Sequence, residues 1–230
     1  GFKDYYFRLS LWDPKNHEKY INEPENWEYA EQILRDIIKR CGVPYVEVTN
    51  EAAFYGPKID VQFKTVTGRE ETMSTVQLDF AAKKRFNLTY VDKDGSKNNE
   101  VFVVHRAPLS THERMIAMLI EHYAGKFPLW LSPRQVRVLS ISEKTEDYAK
   151  EIVALLKSRD IHAELDARAE TINKKIREAQ LEQWNYILVV GEKEQQNKSV
   201  NVRTRDNIVQ GEWPQQKLID SLREEIDKKL

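Results

Sequence analysis

The order of strand-like and helical segments constrains this chain most, because it changes about halfway along. The segments that lead up to residue 123 are mainly consecutive strands closed by one long helix, whereas strands and helices alternate beyond residues 128–133. Consecutive strands favour an antiparallel sheet with helices packed on it, and alternation favours βαβ units with a mostly parallel or mixed sheet. The pattern therefore predicts two domains, residues 1–131 and 132–230.

The first half is predicted to be an α+β domain. Apolar residues at helical spacing predict two helices, the first of which is closed by Cys41-Gly42. Alternation of apolar and polar residues predicts four strands, and Thr67-Gly68 suits a hairpin turn between two of them. The predicted helices are residues 25–40 and 111–123, and the predicted strands are residues 6–11, 59–65, 71–79 and 100–104.

The second half is predicted to be an α/β domain in which strands and helices take turns. The predicted strands are residues 136–141, 162–165, 186–190 and 199–205, and the predicted helices are residues 145–159, 171–183 and 213–229. Trp184 and Tyr186, next to one of these strands, are expected to be packing residues and not platforms for RNA bases.

Charge and cysteine content exclude several classes of protein. The formal net charge is −1, so any nucleic-acid surface must be a local basic patch. Cys41 is the single cysteine, which excludes a disulfide framework within the chain. No apolar run approaches the roughly 20 residues that span a bilayer, and the start does not resemble a signal peptide. A cytoplasmic protein without a membrane partner is expected.

The segment EAAFYGPKIDVQFK, residues 51–64, places two aromatic residues and a lysine around a turn. Gly56-Pro57 is typical of a turn, since glycine tolerates positive φ and proline fixes its own. The alternation that follows is that of a half-buried strand. A turn and a strand explain most of the segment, but they do not explain why Lys58 and the aromatic residues cluster there.

Four further residues of the first half are candidates for chemistry. His105 ends a predicted strand beside the next helix, whose first turn favours anions, although a lone histidine is more often an ordinary polar residue. Thr111 has the type and position of a helix N-cap. Arg114, three residues on, is either a solvated helix charge or a planar cation for a phosphate or a purine. Gln77 is predicted to point from its strand into the cleft that Lys58 faces.

Basic residues of the second half are candidates for phosphate binding. They lie at a helix start, residues 173–177, and beside two strands, at Lys193 and residues 203–205. These residues would converge if the predicted sheet forms, and lysine and arginine bind phosphates. A solvated helix face explains the same composition equally well.

Five blocks in one order carry a family resemblance: EAAFYGPKID, STVQLDF, RFNLTYVDKDG, HRAPLSTHERMIAMLIEHYAGKFPLWLSPRQV, and KKIREAQ with ILVVGEKE and VNVRTRDN. Together they resemble the threonyl-tRNA synthetases, which are class II aminoacyl-tRNA synthetases, over nearly the whole chain. The resemblance implies part of an antiparallel-sheet class II catalytic domain of α+β type. An α/β anticodon-binding domain with a mixed five-stranded sheet follows it.

The resemblance also implies roles for residues of the first domain. Tyr55 would enclose threonine, Lys58 would lie near the amino acid and its activated carboxyl group, and Gln77 would lie under the adenylate. His105 matches a zinc ligand, and Arg114 matches the arginine of motif 3, which stacks on adenine and contacts an ATP phosphate. The remaining residues implied to bind substrate or ATP are Thr75 and Thr111.

For the whole polypeptide the resemblance implies formation of threonyl-adenylate from threonine and ATP, then transfer to tRNA(Thr). One Zn²⁺ per subunit, Mg²⁺ with ATP and a homodimer are implied as well. In the second domain the residues implied to contact the anticodon are Arg177, Glu178, Glu194 and Arg203. A carboxylate can accept from a base amino group, and arginine can read guanine.

The chain departs from the family pattern in several places. Departures near the expected nucleotide site and in motif 3 are Thr72, Met73, Pro108, Ser110 and His112. Motifs 1 and 2 and the other zinc ligands are expected before Gly1, so these 230 residues alone should not charge tRNA. A non-catalytic tRNA-binding fragment or paralogue is therefore an alternative. A synthetase for another amino acid is a third alternative. His105 argues against it, because the resemblance implies that the zinc bound by this residue recognises an amino acid by its hydroxyl group beside the amine.

Overall fold

The computed structural model describes residues 2–230. The chain divides into two compact units, Gly1–His122 and Tyr123–Leu230. No helix in the described residues is both long enough and apolar enough to cross a membrane.

The first unit is built on a five-stranded sheet with the strand order β2-β1-β3-β4-β7, and a short β5-β6 hairpin lies apart from it. The strands are β1 (Tyr5–Leu11), β2 (Tyr45–Thr49), β3 (Lys58–Lys64), β4 (Glu70–Asp79), β5 (Tyr90–Val91), β6 (Lys97–Asn98) and β7 (Val103–Ala107). The helices are α1 (Pro24–Cys41), α2 (Ala82–Phe86) and α3 (His112–Tyr123).

Helix α1 covers one face of this sheet. Its Trp27, Ala30 and Leu34 are buried in one cluster with Leu9 of β1 and Leu78 of β4. Gly42 ends the helix in the left-handed conformation, with φ of 64°, as Cys41-Gly42 predicted. The hairpin turn at Thr67-Gly68 is also confirmed, since Gly68 has φ of 83° and its N–H bonds Thr65 O at 2.9 Å.

Four features of the first unit differ from the sequence prediction, one of which is that helix α2 was not predicted. Strand β2 was not predicted, and it pairs in parallel with β1, so the sheet is mixed and not wholly antiparallel. Strand β7 lies three residues beyond the predicted strand 100–104, because its pairing with β4 runs from Val103 to Ala107. The polar segment 92–99, predicted as a loop, contributes to the β5-β6 hairpin.

Gly56 is required by space and not by backbone conformation. The sequence predicted a turn here because glycine tolerates positive φ, but Gly56 is not among the glycines with positive φ. A Cβ at Gly56 would lie 1.6 Å from the backbone oxygen of Leu78. The loop is also hydrogen-bonded to the end of β4, through Leu78 N to Pro57 O at 3.1 Å and Phe80 N to Tyr55 O at 3.3 Å.

The second unit is an α/β domain whose five-stranded mixed sheet has the order β12-β11-β10-β8-β9. Strands β8, β9 and β10 are parallel, and β11 and β12 are antiparallel additions. The strands are β8 (Val136–Ser140), β9 (Ala163–Asp166), β10 (Tyr186–Val190), β11 (Ser199–Thr204) and β12 (Val209–Pro214). The helices are α4 (Glu146–Lys157), α5 (Ile172–Leu181), α6 (Glu192–Asn197) and α7 (Gln215–Asp227).

Apolar clusters lie on both faces of this sheet, which explains its almost continuously apolar central strands. Helices α4 and α7 contribute Ile152 and Leu222 to one cluster, and α5 contributes Ile176 to the other. Strand β12 and helix α6 were not predicted. The predicted helix 213–229 begins only at Gln215, because Trp213 and Pro214 pair with β11.

Candidate functional site

The sheet face opposite α1 carries two rows of polar side chains. Residues that are directly paired across neighbouring strands point to the same face. The pairing register places Ser10, Lys58, Gln77 and His105 in one row across β1, β3, β4 and β7. The next row is Arg8, Asp60 and Thr75, and it ends on β7 at the apolar Ala107.

In strand β3 the polar side chains are more buried than the apolar ones, which is the opposite of the usual arrangement in a half-buried strand. Asp60 and Gln62 are buried, at 0% and 3% exposure, whereas the alternating Ile59 and Val61 are only partly buried. The alternation was predicted correctly. The sequence did not indicate that the polar side of the strand would be the enclosed one.

Asp60 holds two cations beside the first row. Its Oδ2 accepts from Lys58 Nζ at 2.6 Å and from Arg8 Nη2 at 3.1 Å. Asp60 Oδ1, Arg8 Nε and Ser10 Oγ are buried and have no hydrogen-bond partner among residues 2–230. Buried polar atoms are normally satisfied, so these orphaned atoms indicate a face built for polar contacts.

Tyr55 lies against this face from the loop before β3. Its hydroxyl donates to Gln77 Oε1, and Gln77 Nε2 donates to Thr75 Oγ1 at 3.2 Å. Burial raises the pKa of the Tyr55 phenol and the Asp79 carboxylate raises it further, so the phenol keeps its proton at neutral pH. Four predicted residues, Tyr55, Lys58, Thr75 and Gln77, are therefore brought together.

His105 joins the same group from the strand beyond. Its ring centroid is 5.5 Å from that of Tyr55, and its Nε2 lies 2.9 Å from Asp79 Oδ2. The His105 side chain is 47% exposed, and no hydrogen bond of its other ring nitrogen is found among residues 2–230. In the described part of the chain no cluster of three or more His, Cys, Asp or Glu residues could hold a metal ion.

Thr111 and Arg114 lie at the start of α3, just after β7. Thr111 Oγ1 accepts from Arg114 N at 3.3 Å, which confirms the predicted N-cap. The Arg114 side chain is exposed, and no hydrogen bond or ion pair joins it to the two rows within residues 2–230. Ser110, one of the departures from the family pattern, has φ of 56°, the left-handed region that favours glycine.

Two other departures from the family pattern lie at the lower end of the same sheet. Thr72 Oγ1 accepts from Gln62 Nε2 at 2.7 Å, and Met73 is buried at 3% exposure where the β3-β4 register shifts. Both side chains are accommodated where this shift in register forms a β-bulge.

A cavity of about 840 Å³ near the start of α1, between Glu23 and Lys84, contains none of the predicted site residues.

Sequence reasoning missed Arg8, Asp60 and Asp79. A signal was available for Asp60, because it follows Lys58 at the period of two that places both side chains on one face. Arg8 and Asp79 become visible only through the pairing of β1 with β3 and of β4 with β7, which are contacts distant in sequence.

In the second unit the predicted anticodon residues have different local roles. Arg177 is exposed on α5, and Arg203 lies in β11 opposite Ile187 of β10. Glu178 accepts from Arg168 Nη2 at 2.6 Å. Glu194 accepts from the backbone of Gly191 at 3.0 Å, which caps α6.

The other basic residues proposed for phosphate have partners within the described residues, either at the surface or in the core. Lys193 pairs with Glu212 at 2.7 Å, and Arg205 donates to Phe127 O at 2.7 Å. Lys175 is buried and donates to Ser140 O at 3.0 Å. Trp184 is 1% exposed, which confirms that it is a packing residue.

Comparison with known families assigns both halves of the chain. Residues 15–123 match the family model of the tRNA synthetase class II core domain (G, H, P, S and T), and residues 135–225 match that of the anticodon binding domain. These matches define a class II synthetase core followed by an anticodon-binding domain, as the sequence blocks indicated.

Threonine–tRNA ligase of Clostridium perfringens is 51% identical over 211 residues, which are 92% of this chain and 33% of that protein. The ligase of Oceanobacillus iheyensis is 45% identical over 230 residues, 100% of this chain and 35% of that protein. The crystal structure of the RNA binding domain of threonyl-tRNA synthetase from Cryptosporidium parvum has a TM-score of 0.83 at 42% identity, covering 96% of this chain and 55% of that one.

The chain belongs to the threonyl-tRNA synthetase family, which confirms the resemblance. It spans about a third of the length of the curated relatives that it matches.

Proposed function

We propose that the polypeptide carrying these residues is a threonine–tRNA ligase, which activates threonine with ATP and transfers it to tRNA(Thr). The cross-strand row of Lys58, Gln77 and His105, with Tyr55 against it, is the observation that carries this proposal. It gathers a cation, an amide and an imidazole on one sheet face of a chain 51% identical to a threonine–tRNA ligase. Mg²⁺ with ATP, a homodimer and a cytoplasmic location are part of the proposal.

Lys58 would stabilise negative charge near the activated carboxyl group, and Tyr55 and Gln77 would position the amino acid and the adenylate. Thr75 and Thr111 would line the same site. Catalysis of this kind rests on positioning and on preorganised charge more than on a covalent intermediate. The orphaned polar atoms beside Lys58 support a polar ligand on this face.

Threonine-dependent exchange of pyrophosphate into ATP tests the proposal without requiring RNA. The polypeptide that carries these residues should support exchange with threonine and far less with valine, which lacks the hydroxyl group. Absence of exchange, with binding of tRNA retained, would instead favour the non-catalytic RNA-binding alternative.

Arg114→Gln is expected to reduce threonine-dependent exchange by about 10²- to 10³-fold, because a cation that is proposed to stabilise charge in the reaction is removed. Arg106→Gln is the matched control. Arg106 is also exposed, but β7 directs it to the face opposite His105. Steady-state exchange rates of the two variants make the comparison, and equal rates would remove Arg114 from the proposed ATP site.

Zinc is proposed to bind with His105 as one ligand. The hydrogen bond from Nε2 to Asp79 fits this role, because a ligating histidine usually bonds a carboxylate through its other nitrogen. Residues 2–230 hold no complete ligand group, so His105 supplies one ligand of several. When bound, zinc would hold threonine by its amine and hydroxyl groups.

His105→Ala is expected to lower the zinc content of the purified polypeptide from about one ion per chain to well below half, since structural and catalytic zinc sites use three or four protein ligands. Atomic emission measures the metal independently of activity. His112→Ala is the control, because His112 is exposed at the start of α3. Equal zinc in both variants would argue against His105 as a ligand.

In the second unit we propose that Arg177, Glu178, Glu194 and Arg203 contact the anticodon. Arg177 is the freest of the four for this role, because it is exposed at the first turns of α5. Glu178 and Glu194 would exchange their present partners, Arg168 and the backbone of Gly191, or accept from a base in addition.

A further inference from the structure

A series of ring contacts leads from the candidate site to the surface. His105 contacts Tyr55, and the Tyr55 ring meets Phe54 edge-on, with centroids 4.9 Å apart and an interplanar angle of 80°. The guanidinium carbon of Arg85 in α2 lies 5.4 Å from the centre of the Phe54 ring. The residues at the outer end of this series, Phe54 and Arg85, have no role in the site described above.

Phe54 is presented by a fixed loop. Its carbonyl oxygen accepts from Ile21 N at 3.3 Å, and the loop is bound to β4 through Pro57 and Tyr55. The Phe54 ring is nevertheless 41% exposed. An exposed aromatic ring that a fixed loop holds in place offers a flat apolar face to a ligand.

Arg85 is the uncompensated cation of a basic run. Lys83 is buried against Glu100 at 2.5 Å, and Lys84 pairs with Glu23. No acidic side chain pairs with Arg85 among residues 2–230, and Phe86 beside it is 71% exposed. The surface thus offers one guanidinium group without an acidic partner, 5.4 Å from the centre of an aromatic ring.

We propose that Phe54 and Arg85 form a stacking platform for the single-stranded 3′ end of an RNA that enters the candidate site. An unpaired base can stack on a guanidinium plane or an aromatic ring, and the same guanidinium group attracts the phosphate backbone. This inference rests on the proposed function, since only the transfer step brings an RNA end to Lys58 and Tyr55. We favour RNA over a protein partner because the ring contacts lead from Arg85 and Phe54 directly to the proposed adenylate site.

The test measures binding of a fluorescein-labelled, single-stranded RNA hexanucleotide with the 3′-CCA end, by fluorescence anisotropy at low salt. Arg85→Gln and Phe54→Leu are each expected to weaken binding about tenfold, since stacking on a protein platform contributes at this level. Arg69→Gln, at an exposed arginine in the β3-β4 turn, is the matched control and should change affinity less than about twofold.

Two further measurements distinguish base stacking on Arg85 from simple attraction of the RNA to its positive charge. Arg85→Lys keeps the charge but loses the plane, so it should recover only part of the affinity. Blunt-ended duplex RNA of the same composition should compete poorly, because its bases are already stacked. Unchanged binding by Arg85→Gln, full recovery by Arg85→Lys, or equal competition by the duplex would each overturn the platform.

Failure of the platform can be distinguished from failure of the proposed function. Threonine-dependent exchange by the unmodified polypeptide needs no RNA. Normal exchange with RNA binding that is insensitive to Arg85 overturns the platform alone. Absent exchange with binding that depends on Arg85 overturns the ligase activity and leaves an RNA platform in place.

Discussion

Gly56→Ala is expected to destabilise the first unit by about 3 kcal/mol or more, because it overpacks a site bounded by backbone. The added Cβ would lie 1.6 Å from Leu78 O and 2.8 Å from Leu78 C, and a strand backbone cannot avoid it by a side-chain rotation. Moving the loop away would also break the bonds that join Pro57 and Tyr55 to the end of β4, at about 1 kcal/mol each.

Urea unfolding followed by circular dichroism measures this effect, with the transition of the second unit as an internal reference. Gly68→Ala is the matched control. Gly68 has φ of +83°, and a Cβ added there would meet nothing within 4 Å, so its cost is conformational, about 1 kcal/mol. A Gly56→Ala transition no lower than that of Gly68→Ala would contradict the steric argument. Because Tyr55 and Lys58 flank this loop, threonine-dependent exchange should fall as well.

The sequence predicted correctly those helices and strands that depend on neighbouring residues alone. Helix α1 follows from apolar spacing and a glycine C-cap, and the β3-β4 hairpin follows from alternation around Thr67-Gly68. Strand β2 depends instead on a parallel partner more than thirty residues earlier, and β12 on an edge position beside β11. Pairing distant in sequence, which no local window contains, fixes β2, whereas β12 pairs through a short turn with the strand directly before it.

The site was predictable only in part, for the same reason. The resemblance named Tyr55, Lys58, Gln77 and His105, but the register that aligns the last three in one row is a property of the assembled sheet. The residues that hold them, such as Asp60, were not predicted, because a strand pattern of alternating residues does not say which of its faces is enclosed. The glycine at position 56 was recognised as a turn residue, while its reason lies in Leu78 of another strand.

Asp60 is expected to act as a positioning residue for Lys58. Its side chain is only 1% exposed, and its Oδ2 holds both Lys58 Nζ and Arg8 Nη2. Asp60→Asn would leave these two cations next to each other without an anion, so the free energy of unfolding should fall by about 2–3 kcal/mol. Threonine-dependent exchange should fall about 10- to 100-fold, since Lys58 would lose its fixed position.

Lys58→Met removes the cation itself and should reduce exchange by about 10²- to 10³-fold, the effect of deleting one preorganised group that stabilises charge. It should affect stability less than Asp60→Asn, because Arg8 still pairs with Asp60. Lys64→Gln, at the exposed end of the same strand, controls for loss of a lysine and should leave exchange nearly unchanged.

The double variant decides whether Asp60 acts through Lys58. Residues that work as a unit have non-additive effects, so Asp60→Asn should reduce exchange little further once Lys58 is methionine. If the two reductions multiply fully, Asp60 contributes to catalysis by another route, and the row of Ser10, Lys58, Gln77 and His105 is not organised by the carboxylate beside it. Asp60→Glu provides a further check, since it keeps the anion and should restore part of the exchange rate that asparagine loses.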